Sequence, residues 1–240
     1  MKKIFILLLL FLSACVEKEK VVVSYNEAMQ QLQDGTYMFA AENFEKLDDE
    51  YPFTEDAKNG LIMSAYSYYK AKEYDESVRV IDYFIKNNPV NDNVSYMYYL
   101  KGLNYEARNT SVTRARDIME IQKDIYLVIL SSFPNSIYVD DVKTRLNNIN
   151  VDLSYNDLII GNWYFDNRNY IGAMNHYKAI LREYPTPQTE PEALYRLVEL
   201  HDIFNLKVDA LQYYVKLKKK YNDNEWTEYA NEIVEKYAKN

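Results

Sequence analysis

A helical phrase that returns along the chain is the feature that most constrains the fold. Within residues 35–52, apolar side chains recur at steps of three and four and the segment ends at Pro52, which predicts a helix with one apolar face and a stop. The face of this first copy consists of Tyr37, Ala40, Phe44, Leu47 and Tyr51. Related copies begin near Tyr74, Tyr126, Tyr170 and Ala210. One helical unit is therefore predicted to recur.

The spacing of the copies is regular. Each copy is a pair of helices, with a small residue in the first helix and a stop at the end of the second. The two are 24 residues apart in four copies, from Ala28 to Pro52, Ala65 to Pro89, Gly161 to Pro185 and Val198 to Asn222. The next small residue follows 13 residues later, from Pro52 to Ala65, Pro89 to Gly102 and Pro185 to Val198. The resulting unit of 37 residues is close to the roughly 34-residue tetratricopeptide repeat, which also has a small residue followed by an aromatic one.

Composition supports the same fold class. The 240 residues are 48% hydrophobic and contain only five glycines and six prolines that could interrupt helices. We therefore expect an all-α, right-handed helical-repeat solenoid of five tetratricopeptide-like helix pairs with a C-terminal capping helix over residues 225–239. In that helix Trp226, Tyr229, Ile233 and Tyr237 form one apolar stripe.

The first residues have the features of an export signal. Lys2 and Lys3 precede an apolar run from Ile4 to Leu12, which is too short to span a bilayer. The sequence Leu-Ser-Ala-Cys ending at Cys15 resembles the bacterial lipobox, so we expect residues 1–14 to be a lipoprotein signal peptide. Residues 15–24 would then be a tether lipidated at Cys15. An ordinary signal with a chance cysteine is the alternative.

Charge limits the class of partner. Removal of residues 1–14 takes away two lysines and no acid, which lowers the formal net charge from −8 to −10. An acidic chain argues against nucleic acid and against a polybasic membrane patch, so attachment is expected to depend on the lipid. The lysines at 216 and 218–220 close a helix, where the helix dipole favours cations.

Two departures from the repeat divide the chain. Repeat three is eight residues longer than the others, which predicts a loop near residues 109–116. Fourteen extra residues, about four helical turns, precede Gly161 and predict a long helix over residues 136–166. We expect residues 25–135 to hold repeats one to three and residues 136–240 to hold repeats four and five with the capping helix.

The residues give no indication of an enzyme. His176 and His201 are the only histidines, and His201 falls on the aromatic position of its repeat, which predicts a core residue. No phosphate loop, metal-ligand spacing or nucleophile motif is present. We expect no catalytic residue, metal or cofactor, and a hydrolase has little beyond acidic residues to support it.

Stacked first helices of such repeats line a groove. The groove positions lie three before, one after and four after the small residue. They predict a substrate-peptide groove of Tyr25, Met29, Leu32, Ile62, Tyr66, Tyr69, Tyr99 and Leu103, with an acidic end at Glu199 and Asp202. An aromatic and apolar groove indicates a bound peptide. The alternative is that neighbouring helices bury these side chains as core.

Several segments resemble one family. The lipobox, Tyr51-Pro52-Phe53, the run from Ala65 to Lys70, and Phe133-Pro134-Asn135-Ser136-x-Tyr138 are similar to the BamD (ComL-like) family of outer-membrane lipoproteins. The resemblance covers about residues 25–222. It implies a non-enzymatic outer-membrane lipoprotein that faces the periplasm and belongs to the β-barrel assembly machinery.

The resemblance also implies partners. Repeats one to three would receive unfolded outer-membrane proteins, and repeats four and five would dock a BamA-like subunit through its periplasmic domains, beside other assembly lipoproteins. In repeat four of the family an arginine occupies the position that is His176 here, next to Asn175. The replacement puts that docking contact in doubt. Arg116-Asp117 would be the counterpart of the family's Arg-Asp pair. The alternative function is a tetratricopeptide lipoprotein scaffold for peptidoglycan synthesis or envelope coordination.

Overall fold

Helices make up all the regular structure in the described part of the chain. The computed structural model describes residues 25–52, 54–108 and 116–238. Helix α1 covers 25–33. It is followed by α2 (Tyr37–Glu50), α3 (Glu55–Ala71), α4 (Tyr74–Asn87), α5 (Val94–Arg108), α6 (Arg116–Ser132), α7 (Val139–Asp166), α8 (Tyr170–Glu183), α9 (Glu190–Ile203), α10 (Lys207–Lys220), α11 (Glu225–Glu235) and a short 3-10 helix (Lys236–Ala238). The prediction of an all-α helical-repeat fold is confirmed.

Some predicted features lie outside the described residues. These are the signal peptide, Cys15 and the tether over residues 15–24, Phe53, and the repeat-three loop except for its last residue, Arg116, which begins α6. Among the helices that are described, none is both long and apolar enough to cross a membrane.

The small residues of the repeat lie where paired helices cross. Ala28, Ala65 and Val198 have no exposed surface, and Gly102 and Gly161 are also buried. A Cβ atom on Gly102 would come within 2.1 Å of Tyr126 Cε1, and one on Gly161 within 2.7 Å of Tyr177 Cε1. Glycine thus stands where the opposing helix presents a tyrosine ring, because no larger residue leaves room for it.

A left-handed residue closes the first helix in four of the repeats. Gly35, Lys72, Arg168 and Asn205 have φ values of 79°, 66°, 60° and 56°. Each stands seven residues after the small residue of its repeat. The next N–H donates to the carbonyl five residues earlier at 2.8–2.9 Å, as in Thr36 to Gln31 and Glu73 to Tyr68. This is the Schellman arrangement, which terminates a helix and turns the chain sharply toward the next one.

The first compact unit ends at Val142. Its first core lies between α1 and α2 and contains Ala28, Ala40, Phe44 and Leu47. A second core joins α3, α4 and α5 and includes Leu61, Ile81, Phe84, Met97 and Leu100. Helix α6 packs on α5 through the fully buried Tyr126 and Ile129.

The second unit begins at Lys143. One core of this unit contains Leu158, Tyr177, Ile180 and Leu197, and another joins Leu194, Tyr214 and Leu217 to Ala230. Helix α11 packs on α9 and α10 as the predicted capping helix. Its Trp226 and Ile233, together with Tyr237 of the 3-10 helix that follows, pack against the core that contains Tyr214. Tyr229 of the same predicted stripe remains 45% exposed.

The long helix α7 begins three residues later than expected. It covers Val139–Asp166, or 28 residues, instead of residues 136–166. Ser136 belongs to a turn in which its N–H donates to the Phe133 carbonyl at 2.9 Å and its own carbonyl accepts from Val139 at 3.2 Å. The turn delays the helix because those two bonds fix Ser136 outside the helical hydrogen-bond ladder.

Candidate functional site

Five tyrosines of the first unit lie side by side, and we call them the tyrosine cluster: Tyr66 and Tyr69 of α3, Tyr96 and Tyr99 of α5, and Tyr138 in the turn before α7. The rings of Tyr99 and Tyr138 stack with centroids 4.5 Å apart and planes 14° apart. Tyr96 lies 5.9 Å from Tyr138. Burial, followed by the neighbouring phenols of Tyr138, Tyr66, Tyr99 and Tyr69, raises the pKa of Tyr96.

The tyrosine cluster is half-buried. Tyr66, Tyr69 and Tyr96 pack against the core of α3, α4 and α5 and keep part of each ring accessible. The Tyr99 hydroxyl donates to Asp141 Oδ2 at 2.8 Å, which fixes its ring beside Tyr138. The result is an amphipathic aromatic surface that can contact apolar side chains and also donate hydrogen bonds.

The predicted groove residues of repeats two and three are only partly brought together on this surface. Tyr66, Tyr69 and Tyr99 belong to the tyrosine cluster, and Leu103 is half-buried on α5. Ile62 is only 8% exposed and belongs to the core with Val94, Met97 and Leu100. Its side chain therefore supports the surface from below and does not line it.

The groove residues of repeat one cover the first core. Tyr25, Met29 and Leu32 are half-buried against the core of α1 and α2, and the Tyr25 ring meets Phe44 edge-on at 5.4 Å. Burial, followed by the charge of Asp56, raises the pKa of Tyr25. These side chains combine packing with partial exposure, so the structure leaves their assignment as peptide contacts a prediction.

Sequence reasoning missed two members of the tyrosine cluster. Tyr96 and Tyr138 do not occupy the three groove positions of any repeat. The signal that could have found Tyr96 is its position three residues before Tyr99, the same spacing as Tyr66 and Tyr69, since residues three apart on a helix are neighbours. Tyr138 precedes a helix and carries no periodic signal.

The predicted docking residues of repeat four have different environments. Asn175 is exposed on α8, one turn after Ile171, which is 62% exposed. His176 Nδ1 lies 2.9 Å from Oδ1 of Asp157, a carboxyl group that is only 1% exposed, and its ring stacks on Tyr164 at 5.5 Å. The His176 side chain is thus held toward α7 by two contacts within the chain.

An exposed tryptophan lies close to the predicted docking residues of repeat four. Trp163 of α7 is 60% exposed and meets Tyr164 edge-on at 5.1 Å, and Tyr164 in turn stacks on His176. Tyr155 and Ile159 precede Trp163 at steps of four, and both are exposed. We call Ile159, Trp163, Ile171 and Asn175 the α7–α8 surface. The sequence signal that could have identified this surface is a set of apolar residues that lie outside the buried stripe of α7.

The remaining candidate residues of the second unit are engaged within the chain. His201 is 5% exposed, and its Nδ1 lies 2.6 Å from the Leu197 carbonyl, so the prediction of a core histidine is confirmed. Asp202, at the predicted acidic end, accepts from the Tyr237 hydroxyl at 2.8 Å. Burial and this hydrogen bond raise the pKa of Tyr237. Glu199 accepts from Arg196 at 2.9 Å.

The beginning of α6 holds the last residues taken from the resemblance. Arg116 and Asp117 stand in its first turn, where an acidic side chain interacts favourably with the helix dipole. Arg116 Nη2 lies 3.6 Å from Glu120 Oε1, one turn along the same helix.

Comparison with known proteins gives a family and several relatives. The model of the YfiO family, described as outer membrane lipoprotein, matches residues 17–219. "Outer membrane protein assembly factor BamD" of Rickettsia prowazekii (strain Madrid E) is 31% identical over 217 residues, which are 90% of this chain and 86% of the relative. The proteins of the same name from Caulobacter vibrioides and Vibrio cholerae are 27% and 26% identical over 81% and 78% of this chain, and over 64% and 82% of their own lengths.

A solved structure was also matched. Pseudomonas aeruginosa pilF covers 88% of this chain and 96% of its own, with 13% identity and a TM-score of 0.32. At that TM-score the two structures superpose poorly. The helical-repeat fold follows from the helices described above.

Proposed function

This chain belongs to the YfiO family of outer membrane lipoproteins, and on that premise we propose that it is a non-enzymatic scaffold that helps assemble outer membrane proteins. The matched relatives are named as outer membrane protein assembly factors, which supports this role over a scaffold for peptidoglycan synthesis or envelope coordination. The protein would be held at the periplasmic face of the outer membrane by an acylated Cys15.

The tyrosine cluster is the observation that carries the proposal. An unfolded β-barrel protein exposes alternating apolar and aromatic side chains, and the five half-buried tyrosines offer ring faces for them. The Tyr99 hydroxyl is already donated to Asp141, which holds its ring in place. We place substrate binding in residues 25–135, with the tyrosine cluster as the contact surface. The adjacent turn adds Tyr138, which extends the contact beyond that range.

We assign partner docking to residues 136–240. The α7–α8 surface has exposed apolar side chains at Ile159, Trp163 and Ile171, and tryptophan is enriched among the residues that dominate protein interfaces. A BamA-like subunit of the assembly machinery would bind there through its periplasmic domains, and other assembly lipoproteins would join the complex. Asn175 can contact the partner directly, whereas His176 would support Tyr164 beneath Trp163.

Titration with a peptide tests the substrate surface. The peptide should be a β-strand segment that ends in an aromatic residue, and Tyr66→Ala with Tyr69→Ala should weaken its binding at least about tenfold, because aromatic pairs contribute about 0.5–1.5 kcal/mol each beyond buried area. The matched control is Tyr83→Ala with Tyr229→Ala, which removes two rings that are 47% and 45% exposed outside the cluster. Equal binding by the two double variants would exclude the cluster as the contact surface.

A pull-down from detergent-solubilised envelopes separates the candidate functions. An assembly factor should retain a β-barrel protein with periplasmic domains, whereas a peptidoglycan scaffold should retain cell-wall synthases. Recovery of the synthases without the β-barrel protein would contradict the proposed function.

A further inference from the structure

Helix α10 of the second unit has an exposed face that combines aliphatic and cationic side chains. Val208, Leu211 and Val215 are 71%, 38% and 58% exposed, and their spacing of three and four places them on one stripe. The core side of the same helix is formed by Ala210, Tyr214 and Leu217. Helix α10 is thus apolar on two sides, and only one of them is covered by the core described above.

Lysines flank and continue the exposed stripe. Lys219 lies four residues after Val215 on the same line, and Lys216 and Lys218 lie on either side of that line. All three are exposed. The only acidic residue of α10 is Asp209, which lies beside Tyr213 and raises the pKa of that phenol after burial does. The outward face of α10 is therefore cationic, although the chain carries a formal net charge of −8.

The lysines also border a cleft. Lys216, Lys219 and Lys220 of α10 surround a space of about 430 Å³ together with Leu181 of α8 and with Glu190 and Leu194 of α9. Glu190 Oε2 accepts from Lys220 at 2.6 Å and from the Tyr221 hydroxyl at 2.9 Å, which neutralises Lys220. Lys216 and Lys219 line the same space, and the Lys216 ammonium lies 5.4 Å from the centre of the Tyr213 ring.

We propose that this face of α10 binds the surface of an anionic lipid bilayer. The aliphatic stripe would contact the boundary between headgroups and acyl chains, and the cleft beside Lys216 and Lys219 would hold a lipid phosphate group. Aliphatic residues flanked by lysines on one helix face are the pattern of helices that lie in the membrane interface. The exposed lysines beside the stripe match the negative charge of anionic lipid headgroups.

This contact would be separate from the proposed acylation of Cys15. It would depart from the expectation based on net charge, which argued against a polybasic membrane patch. The helix dipole favours lysines near the C-terminus of α10. That effect does not explain why exposed valine and leucine side chains precede the lysines on the same face.

Chemical footprinting of lysines tests the proposal on the full chain. The protein is reconstituted into vesicles of phosphatidylethanolamine with one-third phosphatidylglycerol, or of phosphatidylcholine alone, and acetylated with an N-hydroxysuccinimide ester. In the anionic vesicles Lys216, Lys218 and Lys219 should react about fivefold more slowly, the factor expected for about 1 kcal/mol per lysine at an anionic surface. The exposed Lys46, Lys70 and Lys86 are internal controls and should react at equal rates in both vesicles.

A second comparison tests the aliphatic stripe. Leu211→Ser with Val215→Ser should remove most of the protection, while Ile121→Ser with Leu127→Ser, a pair of α6 residues in the first unit that are 44% and 43% exposed, should leave it unchanged. Equal reactivity of Lys216, Lys218 and Lys219 in the two vesicles would overturn the proposal. So would protection in detergent with inorganic phosphate, which would mark a free-anion site, or protection in detergent alone, which would mark a protein contact. Peptide binding by the tyrosine cluster is measured independently, so either result can fail alone.

Discussion

Single residues decide how closely the paired helices approach. Gly102 and Gly161 face Tyr126 and Tyr177, whereas Ala28 shares a core with Phe44 and Ala65 shares a core with Ile81. At these two crossings the glycine leaves the space that the tyrosine ring fills. A packed interior has no free space to absorb an added methyl group at such a contact.

Gly102→Ala should lower the free energy of unfolding by about 1–3 kcal/mol, because the new Cβ would lie 2.1 Å from the Tyr126 ring. Alanine favours a helix over glycine, so the loss would be a packing effect against the intrinsic preference. Urea denaturation measures it. The matched variant is Gly102→Ala with Tyr126→Leu, which should recover part of the loss. A neutral or stabilising Gly102→Ala would mean that the crossing is looser than described.

A buried phenol should make stability depend on alkaline pH. Burial, followed by the charge and hydrogen bond of Glu45, raises the pKa of Tyr68 from 10.0 to about 12. The folded chain therefore holds this proton more tightly than the unfolded chain. The stabilising contribution is complete below pH 10 and is lost as pH rises toward 12.

Denaturation at a series of alkaline pH values should show a shallower fall in stability for Tyr68→Phe than for the unaltered chain. Tyr229→Phe, which changes a ring that is 45% exposed, should leave the fall unchanged. Parallel curves for all three proteins would rule out a contribution from Tyr68.

At the scale of elements, the repeat depends on its turns as much as on its helices. The period-three and period-four pattern predicted where α2, α4, α8 and α10 would form, since their buried faces repeat the same residue types. The left-handed turn was not predictable from local sequence in two repeats, where lysine and arginine occupy a conformation that glycine prefers. There the conformation accompanies the hydrogen bonds that close the helix, from Glu73 to Tyr68 and from Asn169 to Tyr164.

Lys72→Gly should therefore raise the free energy of unfolding by up to about 1 kcal/mol. A side chain in the left-handed region costs about 1–2 kcal/mol, which glycine avoids. Glycine also loses more conformational entropy on folding, which cancels part of the gain. Gly35→Ala is the reciprocal variant and should lower stability, since its φ is 79° and no neighbouring atom lies within 4 Å of the added Cβ. Thermal and urea unfolding both report the change. A destabilised Lys72→Gly protein would show that the lysine side chain contributes more than its backbone costs.

At the scale of the whole molecule, the core was easier to predict than the surfaces. A core position recurs with the repeat, but the exposure of a groove position depends on what the next repeat places over it. Ile62 illustrates this, because α5 covers it while Tyr66 and Tyr69 on the same predicted stripe remain accessible. His176 illustrates a different case: it was predicted to contact a partner, but its side chain is held within the chain by the buried Asp157. No periodicity in a single helix contains that information.

The α7–α8 surface provides the prediction for the assembled complex. Trp163→Ala with Ile171→Ala should reduce recovery of the β-barrel partner in the pull-down by about tenfold or more, since truncation of an interfacial tryptophan often costs at least 2 kcal/mol. The melting temperature should not change, because the two side chains are 60% and 62% exposed. Phe39→Ala with Val90→Ala alters side chains of the first unit that are 63% and 93% exposed, and this variant should retain the partner. Undiminished recovery with the Trp163 and Ile171 variant would place docking elsewhere.

The order of helix contacts bears on how the chain folds. Helices α2 to α6 pack on their neighbours along the chain, and so do α8 to α11. Loops closed by such contacts are short, so little chain entropy is lost before each contact forms, and rapid folding is expected. If the chain is exported as proposed, its N-terminal helix pairs would be able to form while later residues are still crossing the inner membrane. Folding would then be vectorial, and the tyrosine cluster would take shape before the α7–α8 surface has been delivered.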